Sequence, residues 1–261
     1  MSWLITPQFK NKLLLDEYPG AAAAYSLRSM TMLSDAPVVR VRRSSDNTEQ
    51  DFTAAQVTDG TLTTFCGAGS GFVSIWYDQS PNGRHAVAAT AGGPRIVNSG
   101  VLDTENTKPS VVFSANDLRL DFPSFAIDTC SVITVLRALV ITTARIYLGT
   151  RGSTANYVSY RHTASEMLFR LNGANTFANH GAISNNQSLY SFYLTSGAGT
   201  SSLNASTVAV TLASTSSVNS IGNGGNSLTN TSIQEMIFYE SNQAANRAAI
   251  ESAINAHYAI Y

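Results

Sequence analysis

Residues 71–87 read GFVSIWYDQSPNGRHAV, and this stretch sets the pattern for much of the chain. Residues 72–77 are mostly aromatic or β-branched, the side chains that pack best on a pleated sheet. Residues 78–83 then bring a proline and an Asn-Gly pair, which are turn signals. The stretch therefore predicts a strand that ends abruptly in a tight turn.

The same alternation of strand and turn recurs along the sequence. Strand-like runs occupy residues 38–43, 110–113, 131–140, 145–149, 156–161, 166–171, 188–195, 206–212 and 233–239. Clusters of Gly, Asn and Ser separate many of them, the spacing typical of an all-β sandwich. Long helical patterns do not alternate with these runs, as they would in a parallel sheet built from βαβ units. We therefore expect an all-β, antiparallel sandwich.

Three segments favour helices. Residues 21–30 (AAAAYSLRSM) are rich in good helix formers, and residues 58–67 form a second short candidate that ends near a glycine. At the end of the chain, Ser241 can cap a helix that runs from about residue 242 to residue 258. We expect a sandwich with two short helices and one terminal helix.

Composition excludes several classes of protein. Charged residues make up only 13% of the 261 residues and aromatic residues 9%, which is not the composition of a disordered chain. The formal charge of −1 offers no attraction for nucleic acid. The longest apolar stretch, residues 132–141, contains Thr134 and Arg137 and is too short to span a bilayer. No signal peptide is recognisable at the amino terminus, so we expect synthesis in a cytoplasm and no membrane insertion.

The first twenty residues differ from the rest. Trp3, Leu4, Ile5 and Phe9, with the leucines at 13–15, are too apolar for a free tail. They form either a strand and loop packed on the same domain or an arm that docks onto a partner chain. We divide the chain into an arm at residues 1–20 and one sandwich domain at residues 21–261.

Metal and cofactor chemistry finds no support in the sequence. Cys66 and Cys130 lack metal-ligand spacing, and they form either one disulfide or, as we favour, two small buried core residues. The four histidines are scattered without the spacing of a metal site or a serine–histidine–acid order: His85, His162, His180 and His257. We expect no metal and no cofactor.

Several stretches taken together carry a family resemblance. They are residues 24–28 (AYSLR), 41–47 (VRRSSDN), 72–85 (FVSIWYDQSPNGRH), 94–97 (PRIV) and 221–226 (IGNGGN). The set resembles the catalytic domain of the α-L-arabinofuranosidase B family across roughly residues 21–261. That resemblance implies a concanavalin A-like, laminin-G-like jelly roll. The same domain is found in bacteriophage virion proteins, and residues 234–255 look most like those.

The resemblance also bears on catalysis. Glycoside hydrolysis usually needs two carboxyl groups that flank the scissile bond. The family's nucleophilic glutamate falls at Asn172 or Gly173 of this sequence, and its acid aspartate falls at Asn226. An amide cannot ionise to attack an anomeric carbon or release a proton, so we expect no catalytic residues and no enzyme activity.

The distribution of carboxylates supports the same expectation. Between residues 129 and 234 the only acidic residue is Glu166, and one carboxylate cannot perform both tasks. An alternative is a pair recruited from acids of the amino-terminal half, namely Asp46, Asp51, Asp78 and Asp117. Asp78 is also expected to be a turn residue that binds backbone amides.

Carbohydrate binding would survive the loss of catalysis. Planar amides satisfy sugar hydroxyls, and an aromatic face packs on the apolar side of a sugar ring. The candidate binding residues are Asn172, Asn175, Phe177, Asn223 and Asn226. The competing interpretation is that the asparagines simply make turns.

These observations lead to one expected function and two alternatives. We expect a non-catalytic phage virion structural protein of a tail fibre, tail tip or capsid surface, made in the host cytoplasm and located in the virion. Trp3, Leu4, Ile5 and Phe9 would anchor it to other virion proteins, and the sandwich would contact host-surface glycan. By analogy with fibre proteins, a homotrimer is a candidate assembly. The alternatives are a glycoside hydrolase of the arabinofuranosidase type and a structural decoration module without a ligand.

Overall fold

The computed structural model describes residues 12–32, 35–89, 92–114, 118–140, 146–160, 165–222 and 230–261. Among these described residues, strands account for 49% and helices for 12%. The strands are β1 Ala23–Ser26, β2 Pro37–Arg43, β3 Glu49–Thr53, β4 Gly71–Trp76, β5 Ala86–Ala88, β6 Arg95–Asn98, β7 Val101–Leu102, β8 Thr104–Glu105, β9 Lys108–Pro109, β10 Val111–Phe113, β11 Arg119–Ile127, β12 Cys130–Ala138, β13 Ile146–Gly149, β14 Tyr157–Ser159, β15 Glu166–Leu171, β16 Ala174–Asn179, β17 Ser188–Thr195, β18 Ala198–Leu203, β19 Ser206–Thr211, β20 Ser216–Gly222 and β21 Thr231–Tyr239. The helices are α1 Leu14–Glu17, α2 Ala54–Thr58, α3 Thr61–Cys66 and α4 Arg247–Tyr258.

The strands form two facing layers of one continuous antiparallel sheet. The first layer runs β6-β10-β21-β12-β17-β18-β19, with β1 also paired to β21, and we call it the helix-covered layer. The second runs β3-β2-β4-β5-β11-β20-β13-β14-β15-β16, and we call it the open layer. Pairing of β4 with β6 joins the two. At the far edge Ala213 N donates to Thr176 Oγ1, so the sheet nearly closes into a barrel.

The main core lies between the layers. Trp76 from the open layer and Phe238 from the helix-covered layer are both fully buried. Tyr25 stands between them, its ring centroid 6.1 Å from that of Trp76 and 6.2 Å from that of Phe238. Tilted and edge-on aromatic pairs of this kind add to the stabilisation from buried apolar area.

A second apolar cluster covers the outer face of the helix-covered layer. Ile250 and Ile254 of α4 and Leu14 of α1 pack there against strand residues such as Ile133 and Ile237. The main core covers one side of the helix-covered layer and the helices cover the other, so all nine residues of β21 are buried. Among the described helices, none is long and apolar enough to cross a membrane.

The all-β antiparallel class is confirmed, as are many of the predicted strands and the short helix at 58–67, which forms α3. The predicted helix at 21–30 is wrong, because residues 23–26 form β1 and pair with β21, Ala23 opposite Phe238. Burial on both sides of this segment overrides the helix preference of alanine. The terminal helix begins at Arg247 rather than 242, and its N-cap is Asn246 rather than Ser241.

The anchoring residues Trp3, Leu4, Ile5 and Phe9 lie outside the described residues, so the arm at 1–20 stays a prediction. Cys66 and Cys130 are both buried free thiols. Burial raises the pKa of the Cys130 thiol to about 12.

Candidate functional site

The outer face of the open layer is not covered by any of the described helices. Directly paired residues in neighbouring antiparallel strands point to the same side of the sheet, so a row of pairs marks one face. One such row crosses all ten strands: Asp51, Arg40, Ile75, Val87, Asp121, Ser220, Gly149, Tyr157, Arg170 and Asn175. We call it the cross-strand row. It places charged, aromatic and amide side chains on one surface.

Asp121 occupies the middle of the cross-strand row. Its Oδ1 accepts a 2.9 Å hydrogen bond from Arg119 Nε, and its Oδ2 lies 3.7 Å from Arg151 Nε. The Asp121 side chain is 25% exposed, whereas Arg151 is 65% exposed. The row thus has at its centre a partly exposed carboxylate held between two guanidinium groups.

The β15–β16 end of the row is apolar and amide-bearing. Tyr157 and Leu168 form a small buried cluster with Ile146, separate from the main core. Phe177 lies directly opposite Leu168 and is 45% exposed, and Asn175 lies opposite Arg170. The structure therefore brings Asn175 and Phe177 together on this face, which is the combination of amide and aromatic ring that suits a sugar.

Asn172 has a local structural role. It adopts a φ of +49° beside Gly173 at +79°, which makes the two residues the hairpin turn between β15 and β16. Its Nδ2 donates to Thr215 O at 2.8 Å and to Ser214 Oγ at 3.1 Å. The Asn172 amide is thus occupied within the protein, in agreement with the turn interpretation. Asn223 and Asn226 lie outside the described residues.

The other end of the row is a charged ladder on β2, β3 and β4. Arg40 binds Asp51 through two hydrogen bonds of 2.7 and 2.9 Å, and Tyr77 donates to Asp51 Oδ1 at 2.8 Å. The hydrogen bond from Arg40 lowers the pKa of Asp51, and burial raises the pKa of Tyr77 to about 12. Beside this ladder a cavity of about 310 Å³ is lined in part by Arg42, Glu49 and Phe72.

The remaining acids named above have different environments. Asp46 is held by Arg43 at 2.6 and 2.8 Å in the turn after β2, and this hydrogen bonding lowers its pKa. Asp78 is buried and accepts hydrogen bonds from three backbone amides and from Ser80 Oγ, so it is the predicted turn residue. Glu166 lies on β15 opposite Asn179. Asp117 lies outside the described residues.

Histidine and cysteine side chains do not assemble with acids into a metal site. No group of three or more His, Cys, Asp or Glu side chains that could hold a metal ion occurs within the described residues. Two of the histidines make local hydrogen bonds: His85 Nδ1 accepts from Asp78 N at 3.2 Å, and His180 Nε2 lies 2.8 Å from Ser201 Oγ.

Comparison with known proteins gives structural matches only. No family model matches, and no curated protein sequence matches. A GH54 α-L-arabinofuranosidase, solved as a glutamate-to-glutamine mutant soaked with 4-nitrophenyl α-L-arabinofuranoside, matches with a TM-score of 0.64 at 12% identity. An arabinofuranosidase complexed with arabinofuranosyl-α-1,2-xylobiose matches with a TM-score of 0.61 at 14% identity. Both matches cover 90% of this chain but only 62% of the other, so the chain spans about three fifths of their length.

Sialidase from Trypanosoma rangeli also matches, at 12% identity and a TM-score of 0.45, over 71% of this chain and 30% of that chain. The match to the arabinofuranosidases shows a shared β-sandwich fold. It contradicts the expectation of a non-catalytic phage structural protein, because these neighbours are glycosidases, and the glycoside hydrolase alternative fits better. The predicted virion location, partners and trimer are not tested by any of these findings.

Sequence reasoning missed the centre of this face. Asp121 and Arg119 belong to the run RLDF at residues 119–122, which alternates polar and apolar residues as a half-buried strand does. That alternation was the signal that could have placed both side chains on an outer face.

Proposed function

We propose that the chain is a carbohydrate-active domain of the glycoside hydrolase type that holds its glycan on the open layer. The observation that carries the proposal is the arabinofuranosidase match across 90% of the chain. The jelly-roll connectivity of that class belongs to the same proposal. An α-L-arabinofuranoside is the first substrate class to test, because the matched structure was soaked with one.

Each part of the cross-strand row has a proposed role. Asp121 supplies one of the two carboxyl groups that glycoside hydrolysis uses. Phe177 offers apolar surface to the sugar ring, and Asn175 and Arg170 offer hydrogen-bond donors to its hydroxyl groups. No second carboxylate contacts Asp121 in the part of the chain that the structure describes, so we assign only one of the pair.

Two facts about the row support this assignment. Asp121 is exposed enough to meet a ligand, yet its position is fixed by Arg119 and by the β11 ladder. Fixed geometry favours catalysis because it avoids the entropy loss of ordering the group at the moment of reaction. By contrast, the buried Asp78 carboxylate is already hydrogen-bonded on both oxygens within the turn it organises.

Release of nitrophenol from 4-nitrophenyl α-L-arabinofuranoside tests the proposal. We expect release above the blank and at least a hundredfold loss in Asp121→Asn, since removal of a catalytic carboxyl group typically costs about 10²–10⁴ in rate. The matched control is Glu240→Gln, another carboxylate paired with an arginine, Arg84, beyond the end of β21. It should retain full activity. Absence of release from a panel of aryl glycosides, or an Asp121→Asn variant as active as the control, would overturn the proposal.

Calorimetry tests the proposed contact between Phe177 and the sugar. Phe177→Ser should weaken binding of arabino-oligosaccharides, measured by calorimetry, because the ring is exposed and its loss leaves the fold intact. An unchanged affinity would remove Phe177 from the site.

A further inference from the structure

A second cavity lies apart from the open layer, beside the carboxyl end of α4. Its volume is about 490 Å³, within the usual range for a small-molecule site. It is bounded by the residues after β1, by α2, by the β8–β9 hairpin and by the last turn of α4. Its polar lining includes Arg28, Lys108, His257, Thr58 and Thr107. We call it the α4 cavity.

The walls of the α4 cavity are fixed by hydrogen bonds. Asn106, in the turn of the β8–β9 hairpin, donates through Nδ2 to Tyr258 O at 2.8 Å and to Ala259 O at 3.1 Å. Gln234 Nε2 donates to Glu105 O at 3.1 Å and to Lys108 O at 2.9 Å. The hairpin is therefore tied both to the end of α4 and to β21, and the cavity exists before any ligand arrives.

Arg28 and Lys108 both line this cavity, and they differ in their acid partners. Arg28 uses Nε and Nη2 to bind Glu235 behind the cavity wall, and its guanidinium carbon lies 5.6 Å from the centroid of the Tyr258 ring. Lys108 makes no ion pair with any part of the chain that the structure describes. The Glu235 carboxylate is only 1% exposed and is already bound by Arg28, Ser26 and Tyr258.

The pKa of His257 reflects its burial and the charges around it. Burial, Arg28 and Lys108 all lower the pKa of its imidazole, to about 4, and the opposing effect of Glu235 is smaller than that of burial and Arg28. The His257 ring centroid lies 4.6 Å from that of Tyr258 on the same helix. The acid opposite Lys108 in the β8–β9 hairpin is Glu105, and it is bound by Arg137 at 2.9 Å. The residues contributed by α2 carry no charge. The α4 cavity is thus a half-enclosed space with a net excess of positive charge.

We propose that the α4 cavity binds an oxyanion group of a small ligand, such as the sulfate or carboxylate of an acidic saccharide. Arg28 Nη1 and Lys108 Nζ would donate charge-assisted hydrogen bonds, and the hydroxyl groups of Thr58 and Thr107 would complete the shell. This site is separate from the cross-strand row, and it does not depend on the glycosidase proposal.

Sulfate is the first probe, because its charge is constant over the pH range needed. The His257 resonance, assigned by its loss in His257→Gln, is followed by NMR from pH 7 to pH 3.5. Bound sulfate should raise the pKa of His257 by about one unit, because an anion favours the imidazolium form. Sulfate affinity should then strengthen about fivefold between pH 7 and pH 4, and His257→Gln should abolish this dependence. A pKa of His257 that saturating sulfate leaves unchanged would overturn the proposal.

Variants identify the donor and the natural source of the anion. Lys108→Met should weaken sulfate binding at least about tenfold, since the charge of Arg28 is already balanced by Glu235 and that of Lys108 is not, within the described part of the chain. Lys12→Met, at an exposed lysine outside the cavity, should not weaken it. Glucuronate and galactose 6-sulfate distinguish a carboxylate from a sulfate ester, with arabinose as the neutral control. Equal affinity in both lysine variants would refute the site, whereas retained sulfate affinity in Asp121→Asn would confirm that the two sites are independent.

Discussion

Substitution of Glu235 by glutamine tests the buried ionic network that joins β1, β21 and α4. Glu235 Oε2 accepts hydrogen bonds from Arg28 Nε at 2.7 Å, Ser26 Oγ at 3.0 Å and Tyr258 OH at 3.1 Å. Its Oε1 accepts from Arg28 Nη2 at 3.0 Å. Glutamine has nearly the same shape as glutamate, but its NH₂ group would face one of the N–H or O–H groups that now donate to the carboxylate. The substitution also leaves the Arg28 guanidinium, which is 18% exposed, without a counter-charge. Breaking a buried pair in this way costs about 3–5 kcal/mol of unfolding free energy.

Urea denaturation followed by circular dichroism measures this loss. The control Glu240→Gln removes a carboxylate that also binds an arginine but is 53% exposed, so it should cost about 1 kcal/mol or less. Adding Arg28→Met to Glu235→Gln should restore part of the stability, because the double variant no longer buries an uncompensated charge. The reasoning is refuted if Glu235→Gln lies within about 1 kcal/mol of the control at an unchanged m-value.

Three further predictions rest on single residues. Gly199→Ala should lower the free energy of unfolding by more than about 3 kcal/mol in urea denaturation, because a Cβ there would lie 1.9 Å from Tyr193 O. The control Gly173→Ala has open space around the Cβ but a φ of +79°, so it should cost about 1–2 kcal/mol. Equal losses in the two variants would contradict this reasoning. The low pKa of His257, about 4, means that the unfolded chain takes up the proton first, so stability should fall as the pH drops from 6.5 towards 4. The full lowering of the His257 pKa corresponds to about 3 kcal/mol of unfolding free energy, which solvent screening of a half-buried ring reduces to about 1 kcal/mol. A His257→Gln variant whose stability has the same pH profile would refute this prediction. The Cys130 thiol, with a pKa raised by burial to about 12, should react with a disulfide reagent at pH 8 only when the chain unfolds.

Local patterning predicts those elements whose structure depends on their own residues. The run at 188–195 forms β17 with the predicted bounds, because it is continuously apolar or small and both its faces are buried. The turn at 78–83 likewise follows from its own chemistry, since the Asp78 carboxylate binds the amides of Ser80 and Arg84. By contrast, residues 23–26 look helical alone and become a strand only because β21, more than 200 residues later, pairs with them. No local pattern contains that partner.

The candidate site could be predicted only in fragments for the same reason. Composition identified Asn175 and Phe177, which do lie on one face. It could not group them with Asp121, because Asp121 shares their face only through the pairing of β20, β13 and β14, which lie between β11 and the β15–β16 hairpin. A count of acids over residues 129–234 could not include Asp121 for the same reason, because Asp121 precedes that range in the sequence but lies beside β20 in the sheet.

The two outer faces of the sandwich explain where a ligand can bind. On the helix-covered layer, Ile250 and Ile254 of α4 fill the surface with apolar contacts, and Glu251 holds Arg247, Ser191 and Tyr193. A glycan has no access to the strands there. On the open layer, partly exposed polar side chains alternate with core residues, so polar groups reach the surface at fixed spacings of about 4.8 Å across the strands. A rigid array at that spacing suits an extended, hydroxyl-rich ligand, and it is why the open layer, rather than the surface beneath the helices, carries the proposed activity.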